Sequence, residues 1–415
     1  MNKNVKILGV ILAAAAIGCT NDATLSDSDL NVEESLTIEM NEDVGSAQDL
    51  EGRYIVVYNT DFGKSMNAQS SKEAVLSLTQ EILGTTRSAA DLGISNVYSK
   101  SINGVALSLN ENQRALLNKD NRVKYIEQDR IVQFAPPCGT PNGGPCDGNG
   151  GGGDDGGSSA QETPWGISRV NGGVAYTGNS VAWILDSGVD LDHQDLNVDA
   201  SRGYNAFTSG KDGRSLDDGN GHGTHVAGTI AALDNNLGVI GVAAGATVIP
   251  VKVLDSRGSG SYSGVVAGVD HVAANGSAGD VANMSLGGPI SVALEDAIKA
   301  AAQSGVRFML AAGNEAQDAN NVSPARVNGN NIYTISSMAQ GDNWSSFSNF
   351  GNPPVDYCAP GSAIKSTWKG GGYNTISGTS MATPHAAGVL LLGNASSGGT
   401  VNGDPDGNAD TIIVH

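Results

Sequence analysis

The stretch VAWILDSG, Val181 to Gly188, decides how this chain of 415 residues folds. Five apolar residues follow one another with no alternation of polar positions, the pattern of a strand buried on both faces. The run then breaks at Asp186-Ser187-Gly188, a turn that leaves a carboxylate at the rim of the sheet. Alone, that aspartate reads equally as a turn residue bonded to its own backbone.

Working outward, the chain alternates between two periods. Apolar runs stand at VIPVKVL from Val248, VANMSL from Val281, VRFMLA from Val306 and NIYTISS from Asn331. Helical spacing marks 223–233, 263–274, 292–304 and 380–392. This alternation predicts an α/β fold, a doubly wound and mostly parallel sheet with helices on both faces. In such folds the chemistry gathers at the carboxyl ends of the strands.

The segments upstream have a different character. Residues 1–19 read as an export signal: Lys3 and Lys6 precede the apolar run Ile7–Gly18, which is too short to span a bilayer. Ala16-Ile17-Gly18-Cys19 resembles a bacterial lipoprotein signal, so the readings are an acylated Cys19, a lipid anchor, or ordinary cleavage. No later stretch could cross a membrane. Residues 20–51 are acidic and weakly periodic, a disordered tether. Residues 52–134 carry strand-like YIVVY at Tyr54, a helical pattern over 71–83, NGVALSL at Asn103, a short helix over 111–119 and the strand VKYIEQDRIV. They predict a small ferredoxin-like α+β domain, with helices on one face of an antiparallel sheet.

Residues 135–160 form a Gly-rich linker containing Pro136-Pro137 and GNGGGGDDGGSS. Within it Cys138 and Cys146 bracket GTPNGGP; they are either a disulfide or two free thiols. The second domain occupies 161–394, and 395–415 form a C-terminal tail. Cys358 reads as a buried, inert residue. A net charge of −20 argues against a nucleic-acid partner, which needs clustered Lys and Arg. With 57 glycines and only 5% aromatics, the composition suits tight loops between packed elements rather than a fibre or membrane bundle.

Three further stretches end near the expected sheet rim. GNGHGTHVAGTI, Gly219–Ile230, holds two of the six histidines, three residues apart. The metalloprotease helix spaces its pair by four around a Glu, so a metal clip fits poorly. His222 stands at the helix mouth and can present its ring as a proton carrier; His225 lies one turn inside and reads as structural. In NTISGTSMATPHAAGV, Ser380 begins a helix, at its positive end, with Pro384 placed in or near the first turn. It is either a nucleophile or an N-cap serine. Ala382 breaks the G-x-S-x-G elbow of lipase-type hydrolases. In LAAGN, Asn314 offers an amide after a strand; it is an oxyanion donor or a turn asparagine.

Taken together, ILDSGVDLDHQDL, GNGHGTHVAG and SGTSMATPHAAG resemble the three signatures of the subtilisin-like serine proteases. PWGISRV at Pro164 and SSFSNFG at Ser345 bring the likeness nearest to the proteinase K and aqualysin branch; it covers about 163–394. The order Asp, His, Ser is also the subtilisin order in the general account of the triad. The resemblance implies Ser380 as nucleophile, His222 as general base and acid, and Asp186 as its orienting carboxylate. It implies Asn314 with the Ser380 backbone N–H as oxyanion donors. Gly258, Ser259 and Gly260 correspond to an edge segment pairing with extended substrate, and Ser285, Leu286 and Gly287 to one wall of the specificity pocket.

The resemblance extends to the N-terminal unit, whose implied role is a propeptide: an intramolecular chaperone and inhibitor, cut away within about 132–163. It also implies structural calcium held by Asp356 with the carbonyls of Asn330 and Ile332, and no cofactor for the chemistry. The tail's Asp404, Asp406, Asn408 and Asp410 read as solvated instead. The expectation is therefore a monomeric, secreted or membrane-tethered bacterial serine endopeptidase acting on polypeptides and made as a zymogen. The alternative is a catalytically silent binding module of the same fold.

Overall fold

The computed structural model describes residues 49–59, 68–133 and 160–415. The export signal with Cys19, nearly all of the acidic tether, and Cys138 and Cys146 in the linker lie outside the described residues.

Elements of the N-terminal unit are β1 (Asp49–Tyr58), α1 (Ala68–Ile82), β2 (Ile94–Tyr98), β3 (Gly104–Ser108), α2 (Glu111–Lys119) and β4 (Val123–Gln133). Strands β4, β1, β3 and β2 lie side by side in that order, all antiparallel. Val56, Leu107, Val75, Leu78 and Leu117 form the core between sheet and helices. α2 begins with a capping box, in which Asn110 and Gln113 each accept from the other's backbone N–H. Strand β1 starts three residues before the expected boundary at Gly52, because Asp49 pairs with Arg130 on β4.

The second unit is built on a larger sheet, whose main elements are β5 (Ala182–Asp186), α3 (His222–Ala231), β6 (Thr247–Lys252), β7 (Ser259–Ser261), α4 (Tyr262–Asn275), β8 (Val281–Met284), α5 (Val292–Ala301), β9 (Arg307–Ala311), β10 (Ile332–Ala339), β11 (Val355–Pro360), β12 (Ile364–Trp368), β13 (Gly372–Ile376), α6 (Thr379–Leu392), β14 (Ser396–Thr400) and β15 (Thr411–Val414). Across the sheet the order is β14, β15, β11, β10, β9, β8, β5, β6. Every ladder from β6 to β15 along this path is parallel; β14 returns antiparallel at the edge.

Ala182, Trp183, Ile184 and Leu185 are all fully buried. Trp183 and Leu185 point into the core shared with α4 and α5, where Val265, Val269, Leu294 and Ile298 meet them. Ala182 and Ile184 point the other way, towards Val226 and Ile230 of α3 and Val389 of α6. A strand with helices on both sides can have no polar face, which is why the run is continuous. Burying each large aliphatic side chain contributes about 1.5–3 kcal/mol relative to leaving it exposed.

Two expectations need correction. The C-terminal residues do not form a solvated tail: β15 joins the sheet beside β11, Ile412 and Ile413 are fully buried, and Asp410 is 3% exposed. The run TIIV supplies the apolar surface that draws the segment in. Pro384 lies in the second turn of α6, not the first. It lacks the N–H that would bond the Ser380 carbonyl, and Ser285 Oγ donates to that carbonyl instead, at 2.8 Å.

Candidate active site

Asp186 closes β5 and is fully buried, with Ser187 N donating to its Oδ1 at 2.7 Å. His222 is the first residue of α3 and is 1% exposed. Its Nδ1 lies 2.8 Å from Asp186 Oδ1 and 2.9 Å from Oδ2. Glycines on either side permit this approach. Gly221 has a φ of 116° and faces the Trp368 ring; a Cβ at Gly223 would sit 2.0 Å from the Gly188 carbonyl oxygen.

The helix mouth is held by a residue the sequence reading did not single out. Asp218, 5% exposed, accepts from Ser187 Oγ, Asn220 N and Gly221 N on one oxygen, and from Thr224 N and Oγ1 on the other. It caps α3 from outside, since Gly221 brings no side chain to the cap. The only sequence signal was an Asp four residues before His222. His225 behaves as the structural reading expects: Nε2 lies 2.9 Å from the Ile364 carbonyl oxygen, and burial pushes its pKa down to about 3.

Ser380 is the second residue of α6, after the cap Gly378 and Thr379, so it is not an N-cap serine. Its N–H is among the first four of the helix, which have no partner within it. Its Oγ donates to the Ser285 carbonyl at 3.3 Å. Strand β8 runs beside β5 with Asn283 next to Ile184, so Ser285, two residues on, arrives beside Asp186. Asn314 follows β9, the next strand across. Thr379 N and Oγ1 both donate to Asn314 Oδ1, at 2.8 and 3.0 Å. With its oxygen so engaged, the Asn314 amide has its Nδ2 donor on the other side. Consecutive strand ends thus carry Asp186, Ser285 and Asn314, and the start of α6 is bonded to the last two. Thr379 is a second residue that only the fold reveals.

Of the segment 258–260, Ser259 and Gly260 are paired, but by this chain, and Gly258 lies in the turn before them. Strand β7 continues the N-terminal sheet: Ser259, Gly260 and Ser261 pair antiparallel with Gln133, Val132 and Ile131 of β4. Gln133 Nε2 also donates to Ser259 Oγ at 2.8 Å. Val132 is fully buried, and a Cβ built on Gly288 would lie 3.5 Å from it. Gly288 continues the wall of Ser285, Leu286 and Gly287 and exchanges two backbone bonds with Ser323. The end of β4 therefore lies between the two expected substrate-binding segments. Its carboxylates anchor it: Asp129 accepts from Ser263 N and Oγ at the start of α4, and Glu127 from Ser291 Oγ and Ala293 N at the start of α5. Anions at helix N-termini are favoured there by the unsatisfied N–H groups and the helix dipole.

For a cation, the expected residues share one edge. Asp356 Oδ2 accepts from Thr334 N at 2.9 Å. Phe308 N takes the Asn331 carbonyl, so strand alternation turns the Ile332 carbonyl to the opposite side, where Asp356 stands. One carboxylate with backbone carbonyls is a hard-oxygen set compatible with Ca²⁺. Among the described residues no group of three or more His, Cys, Asp or Glu side chains could hold a metal.

Comparison with known proteins agrees with this geometry. Residues 177–396 match the Subtilase family, and 53–135 match the peptidase inhibitor I9 family. The chain is 43% identical over 352 residues to alkaline serine exoprotease A of Vibrio alginolyticus, covering 82% of this chain and 60% of that protein's length. It is 37% identical over 361 residues to an extracellular serine proteinase of a Thermus species, covering 82% and 80%. A solved cold adapted subtilisin-like serine proteinase superposes with a TM-score of 0.52 at 40% identity, over 62% of this chain and 98% of that one.

Proposed function

The chain belongs to the subtilase family of serine proteases, and from that membership we propose that it cuts polypeptide chains internally through Ser380, His222 and Asp186. Ser380 Oγ attacks the peptide carbonyl carbon. His222 takes the hydroxyl proton and later returns it to the leaving amine. Asp186 holds the Nδ1–H tautomer and stabilises the imidazolium. Asn314 Nδ2 and the Ser380 N–H receive the oxyanion; such a donor is worth about 3–4 kcal/mol in the transition state, a figure measured on a subtilisin. The observation that carries the reading is the buried Asp186–His222 pair, with both carboxylate oxygens on Nδ1.

The N-terminal unit serves as an intramolecular inhibitor, which its match to the I9 family supports. Seating of β4 against β7 occludes the substrate strand, so the protein is made as a zymogen and activity follows cleavage within about 132–163 and loss of the unit. The basic-then-apolar start of the chain supports export, with the enzyme secreted or held at the envelope through Cys19. Among the described residues no helix is long and apolar enough to cross a membrane. A monomer acting on polypeptides needs no cofactor for this chemistry, and Ca²⁺ at Asp356, Asn330 and Ile332 would serve stability.

Casein hydrolysis by matured wild type and by S380A tests the reading. Loss of activity in S380A, with fluorophosphonate labelling of wild type alone, is expected. Equal activity refutes it, and an unlabelled, inactive wild type leaves the silent binding module.

A further inference from the structure

Asn349 is fully buried and spends its whole side chain on the loop that carries Asn314. Its Oδ1 accepts from Glu315 N and Gln317 N, both at 3.0 Å. Its Nδ2 donates to the Ala312 carbonyl at 2.9 Å and to Glu315 Oε2 at 2.7 Å. Its backbone N–H donates to the Gly313 carbonyl at 3.0 Å. An amide side chain has two donors and two principal acceptor positions, and all four are used here. The bonds fall on both sides of Asn314, so the loop is gripped before and after the amide. The packing is as close as the bonding: at Gly313, φ 106°, a Cβ would lie 2.3 Å from Asn349 Nδ2.

From this geometry we propose that Asn349 is the positioning residue for the oxyanion donor: it holds the 312–317 backbone so that Asn314, clamped on its other side by Thr379, presents Nδ2 to the developing negative charge. This rests on the assignment of Asn314 above. Asn349 itself touches no substrate. A donor aimed at a charge that exists only in the transition state must be placed accurately, and a displacement of about 1 Å can cost on the order of a hundredfold in rate.

The test uses the matured enzyme, a chromogenic peptide substrate and a peptide boronate, whose tetrahedral serine adduct mimics the oxyanion. In N349A, kcat falls about tenfold to a hundredfold with KM little changed. Boronate affinity falls in parallel, while a product-like peptide binds as before. In an N314A background the same substitution has almost no further effect, because there is no donor left to place. N349D keeps the two acceptor bonds but sets a carboxylate oxygen against the Ala312 carbonyl and Glu315 Oε2, where both donor bonds stood; its kcat falls as well, and it supplies the reading should N349A not accumulate. An undiminished loss in the N314A background, a change in KM alone, or wild-type kcat in N349D overturns the proposal. If N314A alone retains wild-type kcat, the oxyanion assignment falls instead.

Discussion

The Nδ1 nitrogen of His222 meets both carboxylate oxygens of Asp186, at 2.8 and 2.9 Å, with the histidine 1% exposed and the aspartate fully buried. A carboxylate can only accept at Nδ1, so in the neutral imidazole the proton sits on Nδ1 and Nε2 carries the lone pair of a base. An amide in its place could donate to Nδ1 and stabilise the opposite tautomer. D186N should therefore fold normally and lose about four orders of magnitude in kcat. Circular dichroism and active-site titration alongside the rate measurement check this; a loss below tenfold in folded enzyme contradicts it.

Asp129 reaches across the interface to Ser263, accepting from N at 3.0 Å and from Oγ at 2.6 Å. Replacing it by Ala removes two hydrogen bonds to an ionisable acceptor and leaves the first-turn Ser263 N–H of α4 without its partner, while Ser261 still caps the helix. Such bonds contribute about 1.5–3 kcal/mol each, so inhibition of the matured enzyme by the separated N-terminal unit should weaken at least tenfold. E127A should act similarly through Ser291 and Ala293. An unchanged inhibition constant in the pair of variants would show that β-strand pairing alone holds the unit.

How much of this was legible before the structure depends on whether the signal was periodic. VAWIL announced a strand buried on both faces, and Asp186, Ala182 and Ile184 lie where that reading put them. His222, Ser380 and Asn314 were found because glycine-rich turns bracket them at element ends. Strand β2 was missed because ISNVY places Ser95 and Asn96 in a short edge strand with little apolar periodicity. TIIV was missed because the polar NGDPDGNAD before it dominated the reading. Asn349 stands within SSFSNFG, where nothing in its spacing marks a role. Its partners lie 32 to 37 residues away and are mostly backbone atoms, which no spacing rule encodes.

Asp356 gives the calcium proposal its own test. Binding to the folded state alone raises stability by mass action, about 2.7 kcal/mol when the free ion is a hundred times its dissociation constant. In the inactive S380A background, which prevents autolysis, millimolar Ca²⁺ should raise Tm and EGTA should reverse the rise. D356N should show neither response. A Ca²⁺ response of equal size in D356N places the ion elsewhere.

Asp410 makes stability depend on pH in a direction opposite to the usual carboxylate. Burial, with Asp404 nearby, pushes its carboxyl from 3.8 up to about 6, even though Ser336 Oγ donates to it. The folded protein therefore holds this proton more tightly than the unfolded chain. The favourable contribution is complete below pH 3.8 and is lost as pH rises through about 6. At pH 8 the buried charge costs on the order of 2–3 kcal/mol relative to the protonated form. Asn keeps an acceptor for Ser336 and carries no charge, so in the S380A background D410N should unfold at a higher temperature than its parent at pH 8. The two Tm values should converge as pH falls towards 4. A D410N variant that parallels its parent across this range would mean that Asp410 ionises in the folded state at no cost, and that water reaches the strand β15 packs against.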